Sequence, residues 1–245
     1  PEPLEARPMS FPPEMRTAVE AVQLASRLCM ATQDILARDD RAAKSDDSPV
    51  TVADFAAQAL VGLWLERSHP DIKLVAEENA DALRVAEGAS LSSRVTSLVN
   101  ETLASAMEDG FIESGSIKIP VTDTFVWDAI DRGAGSPSGD GAFWILDPID
   151  GTQSSIHGVP LYANLVALED KHGPVVGVIN IPALDECVWA GRGLGCFVNG
   201  EPTSVSDRED LHGSCIVTSG VDYWPSAAAL DEFVGRNAVI RTWGD

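Results

Sequence analysis

The nine residues Trp144-Ile145-Leu146-Asp147-Pro148-Ile149-Asp150-Gly151-Thr152 decide how the rest of the chain is read. The stretch Ala142 to Leu146 is continuous in apolar character, which predicts a strand buried on both faces. It leads into two aspartates three positions apart, with Pro148 between them and Gly151 behind them, residues that enforce a turn. Such a turn can aim the Asp147 carboxylate, the Ile149 carbonyl and the Asp150 carboxylate at one point. Hard oxygen donors converging in this way suit Mg²⁺, which takes a few carboxylates from a protein and keeps several waters. Gly151-Thr152 then predicts the start of a helix, whose free backbone N–H groups form a seat for phosphate. Most Asp-Pro and Asp-Gly pairs only make turns or cap helices. The remaining sequence has to decide between turn and site.

Composition points toward a bound cation. The chain of 245 residues carries 38 Asp and Glu against 17 Lys and Arg, a net charge of −21, and its long-range field repels polyanions. Nucleic acid polymers and anionic membrane surfaces are therefore excluded as expected partners. A phosphate ester is an anion as well, and so acidic a chain needs a local cation to hold one. Cys29, Cys187, Cys196 and Cys215 are scattered, with no Cys-x-x-Cys pair, and read as free thiols of a reducing compartment. No apolar run approaches the roughly 20 residues of a membrane span, and no signal-peptide core opens the sequence. The expected localisation is cytoplasmic, although the chain starts at Pro1 rather than Met.

Working outward, Pro1 to Pro13 holds five prolines and reads as a disordered arm. Val19, Val22, Leu24, Leu28 and Ile35 recur at helical spacing and predict a helix from Glu14 to about Arg38. A charged loop follows, and Thr51 is expected to open a second helix that ends near His69-Pro70, with Thr51 and Asp54 at capping-box spacing. A short strand, Lys73 to Ala76, delivers Glu77-Glu78 at its end, and Leu91 to Met107 reads as a further helix. Beyond the central motif, Leu161 to Leu168 and Val175 to Ile181 flank Asp170-Lys171-His172-Gly173 as a hairpin. Strand-like pieces at Cys187 to Ala190, Cys196 to Val198, Cys215 to Thr218 and Val239 to Thr242, with a helix near Ser226 to Val234, complete an alternating α and β pattern.

Three stretches in this order carry a resemblance: Ser48-Pro49-Val50-Thr51-Val52-Ala53-Asp54, Val75-Ala76-Glu77-Glu78-Asn79 and Asp147-Pro148-Ile149-Asp150-Gly151-Thr152. Together they resemble the inositol monophosphatase superfamily, from about Val19 to the end of the chain. The resemblance implies an α/β (α+β) fold, the layered αβαβα sandwich, with an N-terminal α+β lobe over 14–150 and a C-terminal α/β lobe over 151–245. It implies a Mg²⁺-dependent phosphatase of a small phosphorylated metabolite, with two or three ions per site, inhibition by Li⁺, and a homodimer as a common assembly. Residue by residue, it makes Glu77, Asp147, Ile149 and Asp150 metal ligands. Asp54 and Thr152 position the attacking water, and Gly151 with Thr152 holds phosphate. Glu78 is expected to point elsewhere, and Lys44 falls where the family often has a basic residue. No G-x-S-x-G, Walker A or G-x-G-x-x-G motif competes.

The branch is a mosaic. Leu74 to Arg84, Ser97 to Leu103 and Phe125 to Gly133 resemble 3′(2′),5′-bisphosphate nucleotidases, which convert 3′-phosphoadenosine 5′-phosphate to AMP. Ile156 to Pro160 resembles inositol monophosphatase, and Arg241 to Asp245 resembles histidinol-phosphate phosphatases. The superfamily's third metal-ligating Asp lies in a Trp-Asp pair beyond the strand at Val239 to Thr242, and the sequence stops at Asp245 ahead of it. Two expectations stand side by side: a fragment of an enzyme, or a member with an incomplete second metal site that binds metal or phospho-ligand without turnover.

Overall fold

The computed structural model describes residues 12–38, 49–136, 141–210 and 212–218, together with positions 226, 228, 231, 235 and 239–242. The expectations for the N-terminal arm, for Lys44 in the charged loop, for most of the helix near Ser226, and for Trp243 to Asp245 fall outside these residues.

Helix α1, Pro13–Arg38, sets Ala18, Ala21, Val22, Ala25 and Leu28 on one fully buried face. Their i, i+3, i+4, i+7 spacing is that of a helix lying on a core. Helix α2, Pro49–Ser68, is buried nearly all round, from Val52 and Ala53 through Leu60 and Val61 to Leu65. An apolar circumference requires partners on every side, and α1, two later helices and the sheet supply them. The helix opens at Pro49, two residues ahead of Thr51, so the capping-box reading of Thr51 and Asp54 does not hold. Proline is suited to the first helical position because the N–H it lacks has no partner there.

Strand β1, Lys73–Ala76, comes next, followed by the short helix α3, Asp81–Arg84, helix α4, Ala89–Glu108, and helix α5, Asp123–Asp131. The sequence reading assigned no helix to α5; its start is fixed by Thr122, whose hydroxyl accepts the Phe125 N–H at 3.3 Å. Strand β2, Phe143–Asp150, helix α6, Thr152–Ile156, and the hairpin of β3, Ala163–Asp170, with β4, Gly173–Ile181, follow. Strands β5, Glu186–Gly191, β6, Gly195–Val198, and β7, Glu201–Thr203, complete a seven-stranded sheet in the order β1-β2-β3-β4-β5-β6-β7. Only β1 and β2 run parallel within it, and helices α3 to α5 make their crossover. Strands β8, Cys215–Thr218, and β9, Val239–Thr242, form a separate parallel pair. The sheet is continuous across Gly151, with β2 before it paired to β3 after it.

One expectation is corrected here. Strand β2 is buried on one face only: Trp144 and Leu146 point into the helical layer, whereas Ile145 is 37% exposed. The helices α1 and α2 cover a single side of the sheet. The opposite side is an apolar hollow of about 510 Å³ lined by Ile145, Leu165, Ala167, Ile179, Val188 and Ala190 among others. A run apolar on both faces reads the same whether one side or both are covered. All four cysteines are free, as read from their spacing.

Candidate metal and phosphate site

Each candidate side chain reaches the site from a different element. Asp54 lies in the second turn of α2, Glu77 and Glu78 follow the last residue of β1, and Asp147 to Asp150 close β2. The parallel register places Ala76 opposite Leu146, so Glu77 leaves β1 beside the point where Asp147 begins the acidic half of β2. Strand β2 therefore runs through the motif rather than ending before it. The ladder is interrupted between Asp147 and Asp150, where Pro148 has no N–H to give.

The turn that follows depends on glycine twice over. Gly151 has φ of 79°, and a Cβ there would stand 2.8 Å from the Leu161 carbonyl oxygen. Behind it Thr152 opens α6, as the sequence predicted, and its hydroxyl donates to the Ile149 carbonyl at 3.1 Å. Two candidate groups, Ile149 and Thr152, are thus tied to each other. Asn164 of β3 holds the motif from below: fully buried, it donates to the Pro148 carbonyl at 2.6 Å and to the Cys29 sulfur at 3.4 Å. Asn164 was missed in the sequence, where the only signal was an amide inside an otherwise apolar strand.

The carboxylates lie within one another's electrostatic field. Burial, then the charges of Glu78, Glu77 and Asp147, push Asp54 up to about 8. Burial, then the charges of Asp150 and Glu77, push Asp147 up to about 6, partly offset by the Ile149 N–H. Among the described residues no Lys or Arg contributes at either position. Glu78, which the sequence reading turned away from the site, acts on Asp54 more strongly than Glu77 does and is itself raised by burial and by Glu77. Five carboxylates from three elements therefore share one region, and among the described residues no cationic side chain contributes to the shifts of Asp54 and Asp147.

Whether these residues suit a divalent cation is decided by their donors. All are hard oxygens, the preference of Mg²⁺. The Asp147 Oδ1 atom is buried without any hydrogen-bond donor, a state that costs free energy unless a cation or another partner meets it. Among the described residues no three His, Cys, Asp or Glu side chains are gathered into a ready-made metal cage. Mg²⁺ asks for less, since it commonly takes one or two carboxylates and keeps its waters. The residues fit the ion.

The sequence pattern of the inositol monophosphatase family matches residues 13–236. The chain belongs to the inositol monophosphatase family. It is 42% identical over 188 residues to the probable 3′(2′),5′-bisphosphate nucleotidase 3 of Arabidopsis thaliana, covering 76% of this chain and 51% of that protein. A histidinol-phosphatase of Chlorobaculum parvum is 46% identical over 112 residues, 44% of this chain and 43% of its own. The solved inositol monophosphatase of Anabaena superimposes with a TM-score of 0.58 at 21% identity, over 95% of this chain and 67% of that one. At that identity the likeness establishes the fold, and the family's mixed α/β fold is the one seen here. The chain spans about half the length of the curated nucleotidases it matches. No described helix is long and apolar enough to cross a membrane.

Proposed function

We propose that this family member forms the metal-binding part of a Mg²⁺-dependent phosphomonoesterase, acting on 3′-phosphoadenosine 5′-phosphate to give AMP and phosphate. The observation that carries the reading is the buried, donorless Oδ1 of Asp147 inside a set of mutually repelling carboxylates. Glu77, Asp147, Asp150 and the Ile149 carbonyl are the groups that would hold the ion. When bound, Mg²⁺ supplies positive charge against the phosphoryl oxygens and the leaving oxygen. Asp54 sits in the same field, where a cation would favour its ionised form and ready it to accept a proton from the attacking water. In this proposal Thr152, whose hydroxyl donates to the Ile149 carbonyl, orients that water, and the backbone at Gly151 and Thr152 receives phosphate. Inhibition by Li⁺, a homodimeric assembly and a cytoplasmic setting belong to the same proposal.

The nucleotide substrate is favoured by the breadth of the nucleotidase likeness, 188 residues against 112 for the histidinol-phosphatase. The higher identity of that shorter match, 46%, keeps histidinol phosphate as a second reading. Phosphate release from 3′-phosphoadenosine 5′-phosphate, histidinol phosphate and inositol 1-phosphate, with Mg²⁺, with EDTA and with added Li⁺, tests both. Turnover of the nucleotide alone supports the first reading, and turnover of histidinol phosphate alone supports the second. Mg²⁺ uptake without hydrolysis of any ester leaves a binding module.

A further inference from the structure

Residue 58 is an amide at the centre of a helix that is buried nearly all round. Ala57, Ala59, Leu60 and Val61 around it are buried, and Gln58 itself is fully buried. Burying an amide is unfavourable unless its hydrogen bonds are made, and a Leu or Met would fill the volume at less cost. The amide has its bonds, and their direction is informative. The Glu78 N–H donates to Gln58 Oε1 at 2.9 Å, and Gln58 Nε2 donates to the Glu78 carbonyl at 2.6 Å and to the Ile130 carbonyl at 2.9 Å. Both backbone groups of one residue are gripped by one side chain. Such a two-point contact fixes the rotation of the chain at Glu78 and with it the directions in which the Glu77 and Glu78 carboxylates leave β1.

Asp54 stands four residues earlier on the same helix face. One face of α2 therefore carries a carboxylate of the proposed site and, one turn on, the grip on the strand end that carries two more. The end of α5 closes around the same point. The Ala80 N–H donates to Asp131 Oδ1 at 2.8 Å, and the Ala76 N–H to the Gly133 carbonyl at 2.9 Å. A Cβ on Gly133 would stand 2.8 Å from Gln58 Nε2 and 2.7 Å from the Ala76 Cβ, so this wall is close-packed against the amide.

We propose that Gln58 is a positioning residue of the metal site, setting the Glu77-Glu78 strand end against Asp54 through its grip on the Glu78 backbone. The proposal rests on the metal-dependent reading above. Its test is the Mg²⁺ dissociation constant of the full chain, measured by calorimetry without substrate, beside the melting temperature of each variant. Gln58→Met keeps the volume and removes the grip. Outer partners of metal ligands typically contribute about 10–100-fold in affinity, and a rise of that order in the Mg²⁺ dissociation constant is expected. Leu60→Ala, also fully buried on α2, is the control for lost packing and should leave Mg²⁺ affinity within about 2-fold of wild type.

Wild-type affinity in a folded Gln58→Met variant overturns the proposal. So does an equal loss in Leu60→Ala, which would make the effect one of general stability. If Gln58→Met does not fold, Gln58→Asn decides, because it keeps a buried amide that is one methylene too short for the two-point grip on Glu78: weakened Mg²⁺ binding supports the proposal and unchanged binding overturns it. A wild-type chain that takes up no Mg²⁺ overturns the reading of the site itself, and this proposal with it.

Discussion

The first half of β2, residues 143–146, and its second half, residues 147–150, belong to one strand and have opposite surroundings. Trp144 and Leu146 are packed into the helical layer, where Trp144 is fully buried and meets His69 edge-on at 5.7 Å. Three residues after Trp144, burial and then the charges of Asp150 and Glu77 raise the pKa of Asp147, which keeps one buried oxygen without a donor. One half lowers the free energy of the fold by burying apolar side chains; the other raises it by burying a carboxylate next to like charges. A strand that holds both attaches the candidate groups to a packed element, which is what a site on a scaffold requires. In the proposed reading, a bound cation would relieve the strain at its second half.

The largest effect expected from this contrast is on activity. Asp147→Asn should lower Mg²⁺-dependent phosphate release by at least about 100-fold, since even outer partners of metal sites contribute that much. In EDTA the same variant should melt no lower than wild type, because a neutral amide removes repulsion. A large loss of stability would show that Asp147 belongs to the scaffold half instead. Trp144→Ala should do the reverse and cost about 3–5 kcal/mol of folding stability in denaturant titration, the usual range for an aromatic removed from a core.

A smaller effect follows from protonation. With Asp54 raised from 3.8 to about 8 and Asp147 to about 6, the folded chain binds protons that the unfolded chain has released. Stability of the metal-free chain is therefore highest near pH 4 as far as these groups are concerned, and falls as pH rises toward 8. The slope is up to about 1.4 kcal/mol per pH unit for each proton concerned. Thermal melts in EDTA should drop between pH 5.5 and pH 8, and the gain on adding Mg²⁺ should be larger at pH 8. Equal Mg²⁺ gains at both values would separate the cation from these carboxylates. The smallest effect separates the two faces of the first half: Ile145→Thr, on the open side, should change stability by no more than about 0.5 kcal/mol, the range for surface substitutions. A loss above about 1 kcal/mol would mean that this face is covered in solution.

The sequence shows much of this at the level of periodicity. The long helices α1 and α4, the β3–β4 hairpin with its two-residue loop Lys171-His172, and strand β1 were readable because their patterns are local. Helix α5 was not, because Phe125-Val126-Trp127-Asp128 is too short and too mixed to display a face, and its assignment rests on a Thr122 cap and on packing against α2. The candidate ligands were legible because DPIDGT, AEEN and SPVTVAD are contiguous motifs. The residues that hold them were not: Asn164 and Gln58 are single amides, and an amide's role depends on which backbone it meets.

By itself, then, the sequence determined the order of the longer elements, the family and the candidate carboxylates, since each is written in neighbouring residues. Only the tertiary structure decided that β2 is covered on one face, that Glu78 acts on Asp54 ahead of Glu77, and that Gln58 grips the strand end. Burial, charge coupling and hydrogen-bond direction are relations between segments far apart in the chain. They exist only once α2, β1 and β2 have been brought together.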